Sequence, residues 1–374
     1  MDKAKNILLE LMKYNTFLYP ENVKMYDDCA TYISSLFAEL DFNTKLIQTN
    51  SGKIVICKRL IDVKLPHVHF NGHYDIVPIT DNNITNFDDN THIFFGRGCS
   101  DMKGGIVSIW LACKDVIERK IPCNISISFS PDEETGGKIA SKQIPSIISE
   151  FLPLESLVII ADSSHPSIIT SHCGACWIDV KISLESTQRF IANKLSAFEI
   201  MCKYCPEFIK TPSNIDAVIG GICKSSNAVN LWAHTVSFTL DYRFDAPSSV
   251  SDIKDWINNH FASLNSFIKD ELDLNTNPLT WTNILEVEPS ICTADFNNYL
   301  DVAKSIIPNA HIDKANGFYD LRYFRDAGYS NSFVLGPGDV LNAHVKYETL
   351  KKRNVEECSQ VYIKFIEGVA NGDF

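Results

Sequence analysis

The sequence has no long run of lysine or arginine, and its 46 acidic residues outnumber the 34 basic ones. The resulting formal net charge of −12 repels nucleic acid phosphates and anionic lipid surfaces, and no basic run offsets that repulsion locally. We therefore expect neither nucleic acid nor a membrane as a partner of this chain.

The sequence also lacks the continuous apolar core of a signal peptide. Its first helix instead carries four apolar side chains on one face, with charged residues between them: Ile7, Leu8, Leu11 and Met12. This pattern predicts an amphipathic helix and a cytoplasmic protein. Twelve cysteines are scattered through the chain, and without a secretion signal we expect most of them to be reduced thiols.

Two pairs of cysteines have the C-x-x-C spacing of structural zinc ligands, Cys173 with Cys176 and Cys202 with Cys205. The gap between the pairs is longer than usual for such a site. The second pair follows a stretch with helical periodicity, where residues three positions apart often pack against a core. Core packing is the preferred interpretation, and a separate structural zinc site is the alternative.

The 374 residues exceed the size at which one hydrophobic core stops growing, so two domains are expected. In the first part, strands are predicted in KIVICKRL, HVHFNGHYDIV, NISISFS and SLVIIAD, and helices in residues 27–40 and in MKGGIVSIWLACKDVIERK. Strands separated by helices predict an α/β fold with a mostly parallel sheet. The asparagine-rich stretch 81–91 is predicted to be a loop.

After about residue 177 the order becomes strand, helix, strand, helix, which predicts an inserted α+β domain. The segment SICTADFNNYLDVAKSII then predicts a fresh helix of the first domain, and SNSFVLGPG predicts a buried strand and turn. The first domain is therefore expected to be discontinuous.

Acidic and histidine side chains lie where the predicted strands end. His73 and Asp75 come late in one strand, Glu133 and Glu134 directly follow another, and Asp162 ends a third. In open α/β sheets the active site lies at the carboxyl ends of the strands. We therefore expect these side chains to converge.

His73 and Asp75 are two positions apart, so in a strand both side chains point to the same face. An aspartate at that spacing from a metal-binding histidine can accept its second N–H and fix its tautomer. The alternative is a core histidine paired with a carboxylate. His67 and His69 of the same strand are interpreted as core residues.

The segment 96–105 places four glycines around Asp101 directly before a predicted helix. Glycines permit close approach of the backbone, so a carboxylate here can be held rigidly between two metal ions. The alternative is a helix-entry loop with Asp101 as the N-cap.

Glu133 and Glu134 are adjacent carboxylates at the end of a strand, and they repel each other unless a cation is present. In a zinc hydrolase one carboxylate binds metal, and its neighbour takes a proton from the attacking water and returns it to the leaving amine. A solvated acidic turn is the alternative.

Five segments together resemble the acetylornithine deacetylase and succinyl-diaminopimelate desuccinylase family of dinuclear zinc amidohydrolases, over nearly the whole chain: GHYDIVP, GRGCSDMKGG, SPDEETGG, ADSS and GPGDVLNAHVKYE. The family also includes aminoacylases, carboxypeptidase-like enzymes and dipeptidases. The resemblance implies two Zn²⁺ per chain, for which Co²⁺ or Mn²⁺ could substitute. It further implies a cis peptide bond between Asp101 and Met102.

The resemblance assigns roles to the residues named above. His73 and Asp162 would bind one zinc ion, Glu134 and His344 would bind the other, and Asp101 would bridge them. Glu133 would be the general base, and Asp75 would orient His73.

The resemblance also makes residues 177–284 a lid and dimerisation domain inserted into a catalytic domain of residues 1–176 and 285–374, and it implies a homodimer. Asn227 and Arg243 would hold the carboxylate of the substrate, the arginine bidentately. Asp320 and Arg322 would border the substrate. The alternative for these residues is a structural role, such as a salt bridge of Asp241 with a neighbouring arginine.

Three departures from the family pattern bear on the substrate. The stretch beginning at Glu185 lacks the lid histidine that stabilises the oxyanion in relatives, a loss that costs about 10²–10³ in turnover. The stretch 171–174 lacks the arginine of desuccinylases. At the position of Asp162, deacylases and carboxypeptidase-like members typically have glutamate, whereas aminopeptidases and dipeptidases have aspartate. The prediction is hydrolysis of a small N-acyl amino acid; the alternatives are a peptidase and a catalytically weakened dimeric metal-binding homologue.

Overall fold

A computed structural model describes residues 2–17, 19–79, 85–184, 195–224 and 233–374. The chain divides into two compact units. The first consists of Met1–Ser171, Cys292–Lys314 and Tyr319–Phe374, and the second of His172–Ile291 and Ala315–Phe318.

The described residues form helices and strands in the following order along the chain. The helices are α1 (Asp2–Leu11), α2 (Val23–Ala38), α3 (Gly104–Glu118), α4 (Ile144–Ile148), α5 (Ala197–Phe208), α6 (Val250–Glu271), α7 (Asn297–Lys304), α8 (Leu321–Asp326) and α9 (Lys352–Asn371). The strands are β1 (Asn43–Thr49), β2 (Gly52–Arg59), β3 (His67–His73), β4 (Asn86–Asp88), β5 (Ile93–Phe95), β6 (Asn124–Ser130), β7 (Leu157–Ile160), β8 (Ser167–His172), β9 (Gly174–Ser183), β10 (Ile215–Lys224), β11 (Thr235–Phe244), β12 (Leu279–Val287), β13 (His311–Ala315), β14 (Ser332–Val334) and β15 (Thr349–Lys351).

The first unit is built on an eight-stranded sheet in the order β1-β2-β6-β3-β7-β14-β8-β13. Its central strands β6, β3, β7 and β14 are parallel, and antiparallel pairs flank them at β1–β2, β2–β6 and β14–β8. Every residue of β3 and β6 is buried, as expected for parallel strands covered on both faces. The α/β prediction is confirmed.

The predicted amphipathic character of α1 is also confirmed, because its four apolar side chains are all buried: Ile7, Leu8, Leu11 and Met12. None of the described helices combines the length and apolar character needed to cross a bilayer.

The second unit is a four-stranded antiparallel sheet in the order β10-β11-β9-β12, which packs against α5 and α6. Alternate residues of β9 and β11 enter the core, including Ile178, Val180, Phe238 and Leu240. Both helices begin with a capping box, at Ser196 and at Ser249, which satisfies free backbone N–H groups of the first turn. The predicted α+β insert is therefore present.

The structure corrects three details of the sequence analysis. Strand β3 ends at His73, so Asp75 lies beyond it. The stretch 81–91 contains β4, which pairs with β5. The predicted domain boundaries at 176/177 and 284/285 fall inside β9 and β12, and the second unit keeps both strands whole because they pair with each other from Ala175 to Ile182.

One face of β3 is polar although it is buried. His67 and His69 both contact the Ser126 hydroxyl, at 2.9 and 2.8 Å, and the other ring nitrogen of His69 lies 2.9 Å from the Ser128 hydroxyl. The Asn71 amide donates to the same Ser128 oxygen at 2.9 Å. Burial lowers the pKa of His67 to about 4 and the pKa of His69 well below its usual value, so both imidazoles are neutral at pH 7.

This burial predicts a loss of stability in acid. A neutral histidine with a lowered folded-state pKa stabilises the fold above its unfolded pKa of about 6.5, and that contribution is lost as pH falls toward the folded value of about 4. For His67 the loss between pH 7 and pH 5 is about 2 kcal/mol. Urea unfolding of wild type and His67→Gln at both pH values should show a smaller decrease in the variant. An equal decrease would contradict this account.

Candidate metal centre

The carboxyl ends of three parallel strands, β6, β3 and β7, lie side by side in the centre of the large sheet. His73 is the last residue of β3 and pairs in register with Ser130, the last residue of β6. Glu133 and Glu134 lie in the short 3₁₀ turn that follows β6, and Asp162 lies two residues beyond β7 on the other side of β3. The predicted convergence of these side chains is therefore seen in the structure.

Asp101 lies in the single turn Cys99–Lys103 that precedes α3, and its peptide bond to Met102 is cis, as expected. One carboxylate oxygen, Oδ1, lies 3.1 Å from Nε2 of His73. The other, Oδ2, lies 3.3 Å from Nε2 of His344. Each oxygen thus faces a different imidazole, which is the arrangement that a carboxylate bridging two ions requires.

The remaining predicted ligands lie beside these two histidines. Nε2 of His344 is 3.0 Å from Oε2 of Glu134, and Nε2 of His73 is 3.6 Å from Oδ2 of Asp162. Two groups of three residues each offer ligand atoms that lie within 4.8 Å of one another. One group is His73, Glu133 and Asp162, and the other is His73, Asp101 and Glu134. The structure thus brings together all six residues, although which of them bind metal remains a prediction.

Acidic and basic groups of the cluster shift one another's pKa. Hydrogen bonds to Asp101 and Glu134 raise the pKa of His344, and hydrogen bonds to His344 and His73 lower the pKa of Asp101 against the effect of burial. Burial raises the pKa of Glu133 well above its usual value. Burial and the nearby Asp101 carboxylate raise the pKa of Glu134 to about 7, and they also raise the pKa of Asp162. Oε1 of Glu134 is buried and has no hydrogen-bond partner among the described residues. The three carboxylates and two imidazoles of the predicted ligands are a suitable donor set for divalent transition metals.

Asp75 contacts three parts of this cluster. Nδ1 of His73 lies 3.0 Å from the carbonyl oxygen of Asp75 and 3.3 Å from its Oδ1. The carboxylate of Asp75 accepts the backbone N–H groups of Glu133 and Glu134 at 3.2 and 3.0 Å. The position agrees with the proposed orientation of His73. It also fixes the acidic turn, a contact that the strand argument did not predict because Asp75 lies outside the strand.

Arg322 and Asp320, predicted to border the substrate, are both buried in the first unit. Arg322 donates to the carbonyl oxygens of Tyr319 at 3.1 Å and Gly136 at 2.6 Å, and thereby holds the turn after Glu134. Asp320 accepts a hydrogen bond from Ser130 at 3.1 Å, and burial raises its pKa to about 7. These contacts favour the structural alternative, and substrate binding by either residue remains a prediction.

Two further buried carboxylates were missed by the sequence analysis. Asp132 accepts the backbone N–H groups of Ile139, Ala140 and Ser141 at 2.8–3.0 Å and thereby closes the loop after the acidic turn. The dipeptide of Pro131 and Asp132 could have indicated such a turn. The second is Glu348, whose partners lie about 250 positions earlier in the chain, so no local pattern could have indicated it.

In the second unit, Arg243 pairs with Asp241 through two hydrogen bonds of 2.7 and 2.8 Å. Its guanidinium lies 5.9 Å from the ring of Trp177 and 5.4 Å from that of Phe318. Nη1 of Arg243 is buried without a hydrogen-bond partner in the described part of the chain. Asn227 and the stretch beginning at Glu185 lie outside the described residues.

The four paired cysteines are not part of either ligand group found among the described residues. Cys173 donates to the carbonyl oxygen of Asn316, Cys176 is buried in the core of the second unit, and Cys202 is exposed. Core packing explains Cys176, and the geometry gives no support to a separate zinc site.

The family model of peptidase family M20/M25/M40 matches residues 69–368. The chain belongs to this family. A succinyl-diaminopimelate desuccinylase from Helicobacter hepaticus is 22% identical over 398 residues, covering 97% of this chain and 96% of that protein. The fold is shared with the dipeptidase Dug1p from Saccharomyces cerevisiae, with a TM-score of 0.80, 13% identity and coverage of 99% and 96%. The fold is also shared with human carnosine dipeptidase 1, with a TM-score of 0.78 and 12% identity. That match covers 99% of this chain and 97% of the dipeptidase chain.

Family membership confirms the resemblance stated from the sequence. This M20/M25/M40 member is a hydrolase that acts on amide bonds, and the cluster at its strand ends supplies candidate metal ligands. The relatives include both deacylases and dipeptidases by name, so the comparisons leave the substrate class open.

The contacts of Asp75 predict that Asp75→Asn weakens metal binding by about 10–100-fold, the usual cost of losing a partner of a metal ligand. An amide has one acceptor oxygen, whereas the carboxylate serves two N–H groups and an imidazole. Zinc affinity measured by competition with a chelator should show the loss, and Asp115→Asn on the exposed face of α3 should leave it unchanged. Equal affinities for Asp75→Asn and wild type would refute the assignment.

Proposed function

We propose that this M20/M25/M40 member cleaves the amide bond of a small N-acyl amino acid and that it uses two Zn²⁺ ions. The carrying observation is the placement of Asp101, whose two oxygens face different imidazoles at 3.1 and 3.3 Å. In this proposal His73 and Asp162 hold one ion, Glu134 and His344 hold the other, and Asp101 is shared. Co²⁺ or Mn²⁺ could take the same donor set.

Two bound zinc ions would polarise the amide carbonyl and acidify the attacking water. The protein itself supplies the proton transfers. Glu133 is buried and adjacent to the ligand Glu134, and its carboxylate oxygen is the acceptor that we assign for the proton of the water. Burial raises the pKa of Glu133, which makes its carboxylate a stronger proton acceptor, and the protonated side chain would then donate to the nitrogen of the leaving amine.

We further propose that Arg243 binds the free carboxylate of the substrate. Its buried Nη1 has no partner among the described residues, so one donor stays available after Asp241 has taken Nε and Nη2. The rings of Trp177 and Phe318 keep the guanidinium in place. Asn227 is proposed as a second partner of that carboxylate on the family resemblance alone.

A peptidase acting on a small dipeptide is the second candidate. This candidate is favoured by Asp162, because the family resemblance implies that aminopeptidases and dipeptidases also have aspartate at this position. The third candidate is a metal-binding homologue with weakened catalysis, motivated by the absent lid histidine. The convergence of all five proposed ligands and Glu133 speaks against it, because a cluster of like charges is costly to keep without a use.

A homodimer through the second unit is also proposed from the family resemblance. Strand β10 forms one edge of the four-stranded sheet and exposes Val218 and Ile219. An exposed edge strand can pair with the same strand of a second copy. The molar mass can be measured by sedimentation equilibrium. A mass of twice that of the chain would support the dimer, and the mass of a single chain would exclude it.

Glu133→Gln should reduce kcat by about 10²–10⁴-fold without loss of metal, since the glutamine keeps the shape of the side chain but cannot accept a proton. Activity is measured on N-acetyl amino acids, N-succinyl amino acids and dipeptides, with zinc content determined for each preparation. Glu150→Gln, on the surface, is the matched control.

The substrate that wild type cleaves best identifies the deacylase or peptidase branch. Equal cleavage of free-acid and carboxamide-capped forms of that substrate would remove the role of Arg243. Wild-type turnover by Glu133→Gln would remove the proposed base. Two bound zinc ions with no turnover of any substrate would support the weakened homologue.

A further inference from the structure

Glu348 holds the turn that presents Asp101. Its side chain is 1% exposed, and its carboxylate accepts four hydrogen bonds. Oε2 accepts from Nη1 of Arg97 at 2.8 Å and from the backbone N–H of Gly98 at 2.9 Å. Oε1 accepts from the backbone N–H groups of Ser100 at 2.7 Å and Asp101 at 2.9 Å.

The backbone of this turn is shaped to surround an anion. Gly98 has a φ of +82°, a left-handed conformation that favours glycine. Three N–H groups at positions 98, 100 and 101 consequently point at one carboxylate, as in the anion-binding nests of other proteins. A Cβ atom at position 98 would also come within 2.7 Å of the Ile76 side chain, so this conformation and this packing both require glycine.

Glu348 also joins two segments that carry proposed metal ligands. It lies four residues after His344, and its own carbonyl oxygen accepts the N–H of Gly96 at 3.0 Å. The segment that bears His344 is therefore bonded at both main chain and side chain to the segment that bears Asp101. Asp101 in turn lies within 3.3 Å of His344, which closes the connection at the metal centre.

We propose that Glu348 is a positioning residue of the metal centre: its hydrogen bonds to Arg97 and to three backbone N–H groups fix the turn Gly98–Asp101, so that Asp101 meets both His73 and His344. The inference rests on the proposed function, because it assumes that Asp101 bridges two ions. Glu348 does not touch the ions in this account, and it acts through the orientation of Asp101.

The chemistry of the four donors makes the substitution at this site informative. Glutamine has nearly the shape of glutamate, but it offers one acceptor oxygen and turns an NH₂ group toward donors. Glu348→Gln therefore disrupts the contacts at constant volume. Arg97→Met removes one of the four donors and leaves the three backbone N–H groups, so its effect should be smaller. Glu367→Gln is the matched control, because Glu367 also pairs with an arginine, Arg119, in the same unit.

The experiment uses metal-free full-length protein titrated with Co²⁺. The affinity is measured by competition with a chelator, and the visible absorption of the bound Co²⁺ reports its coordination. Glu348→Gln should lose about 10–100-fold in affinity and change the absorption spectrum. Arg97→Met should lose less, and Glu367→Gln should match wild type. In the loaded proteins kcat should fall more than KM rises, because the reacting groups and not the substrate contacts are displaced.

A purely structural role gives a different result. In that case Glu348→Gln lowers the melting temperature of the metal-free protein but keeps the wild-type affinity and spectrum, which overturns the inference. If Glu348→Gln does not fold, Arg97→Met decides, and wild-type affinity and spectrum there overturn the inference equally. Wild type that binds no Co²⁺ would overturn the proposed function itself, whereas intact wild-type binding with an unaffected Glu348→Gln would overturn only the role of Glu348.

Discussion

The convergence of four carboxylates on two imidazoles is the constraint around which the first unit is organised. Asp101, Glu133, Glu134 and Asp162 are brought together beside the ends of parallel strands. Burial raises the pKa of Glu133, Glu134 and Asp162, whereas hydrogen bonds to His344 and His73 lower the pKa of Asp101 against the effect of burial. Negative charges held this close repel one another unless positive charge lies beside them. The sheet, the turns and the buried polar partners can therefore be understood as the structure that keeps these groups in place.

The holding groups are mostly backbone amides directed at other carboxylates. Asp75 accepts the N–H groups of the acidic turn, Asp132 closes the loop behind it, and Glu348 gathers the turn of Asp101. Charge-assisted hydrogen bonds of this kind are shorter and stronger than neutral ones. The turns that bear the proposed ligands Asp101 and Glu134 are thus fixed by carboxylates to which we assign no metal contact, which keeps these two side chains in place although they lie outside strands.

The sequence allowed the central strands and the residues at their ends to be predicted, because apolar runs and strand ends are local features. The convergence of these residues could also be predicted, because the carboxyl ends of neighbouring parallel strands lie side by side. The contacts of Glu348 could not be predicted, since its partners lie about 250 positions away and periodicity carries no such information. Strand β4 was missed for the same reason, because three residues acquire strand geometry only by pairing with β5. Asp75 was assigned to the strand although it lies two residues past the end of β3.

Anomalous diffraction from crystals grown with zinc would show whether Asp101 bridges two metal ions. We expect two anomalous peaks per chain on either side of the Asp101 carboxylate, about 3.5–4 Å apart. One peak should adjoin His73 and Asp162, and the other should adjoin Glu134 and His344. A single peak, or two peaks that do not share Asp101, would exclude a bridging role for this carboxylate.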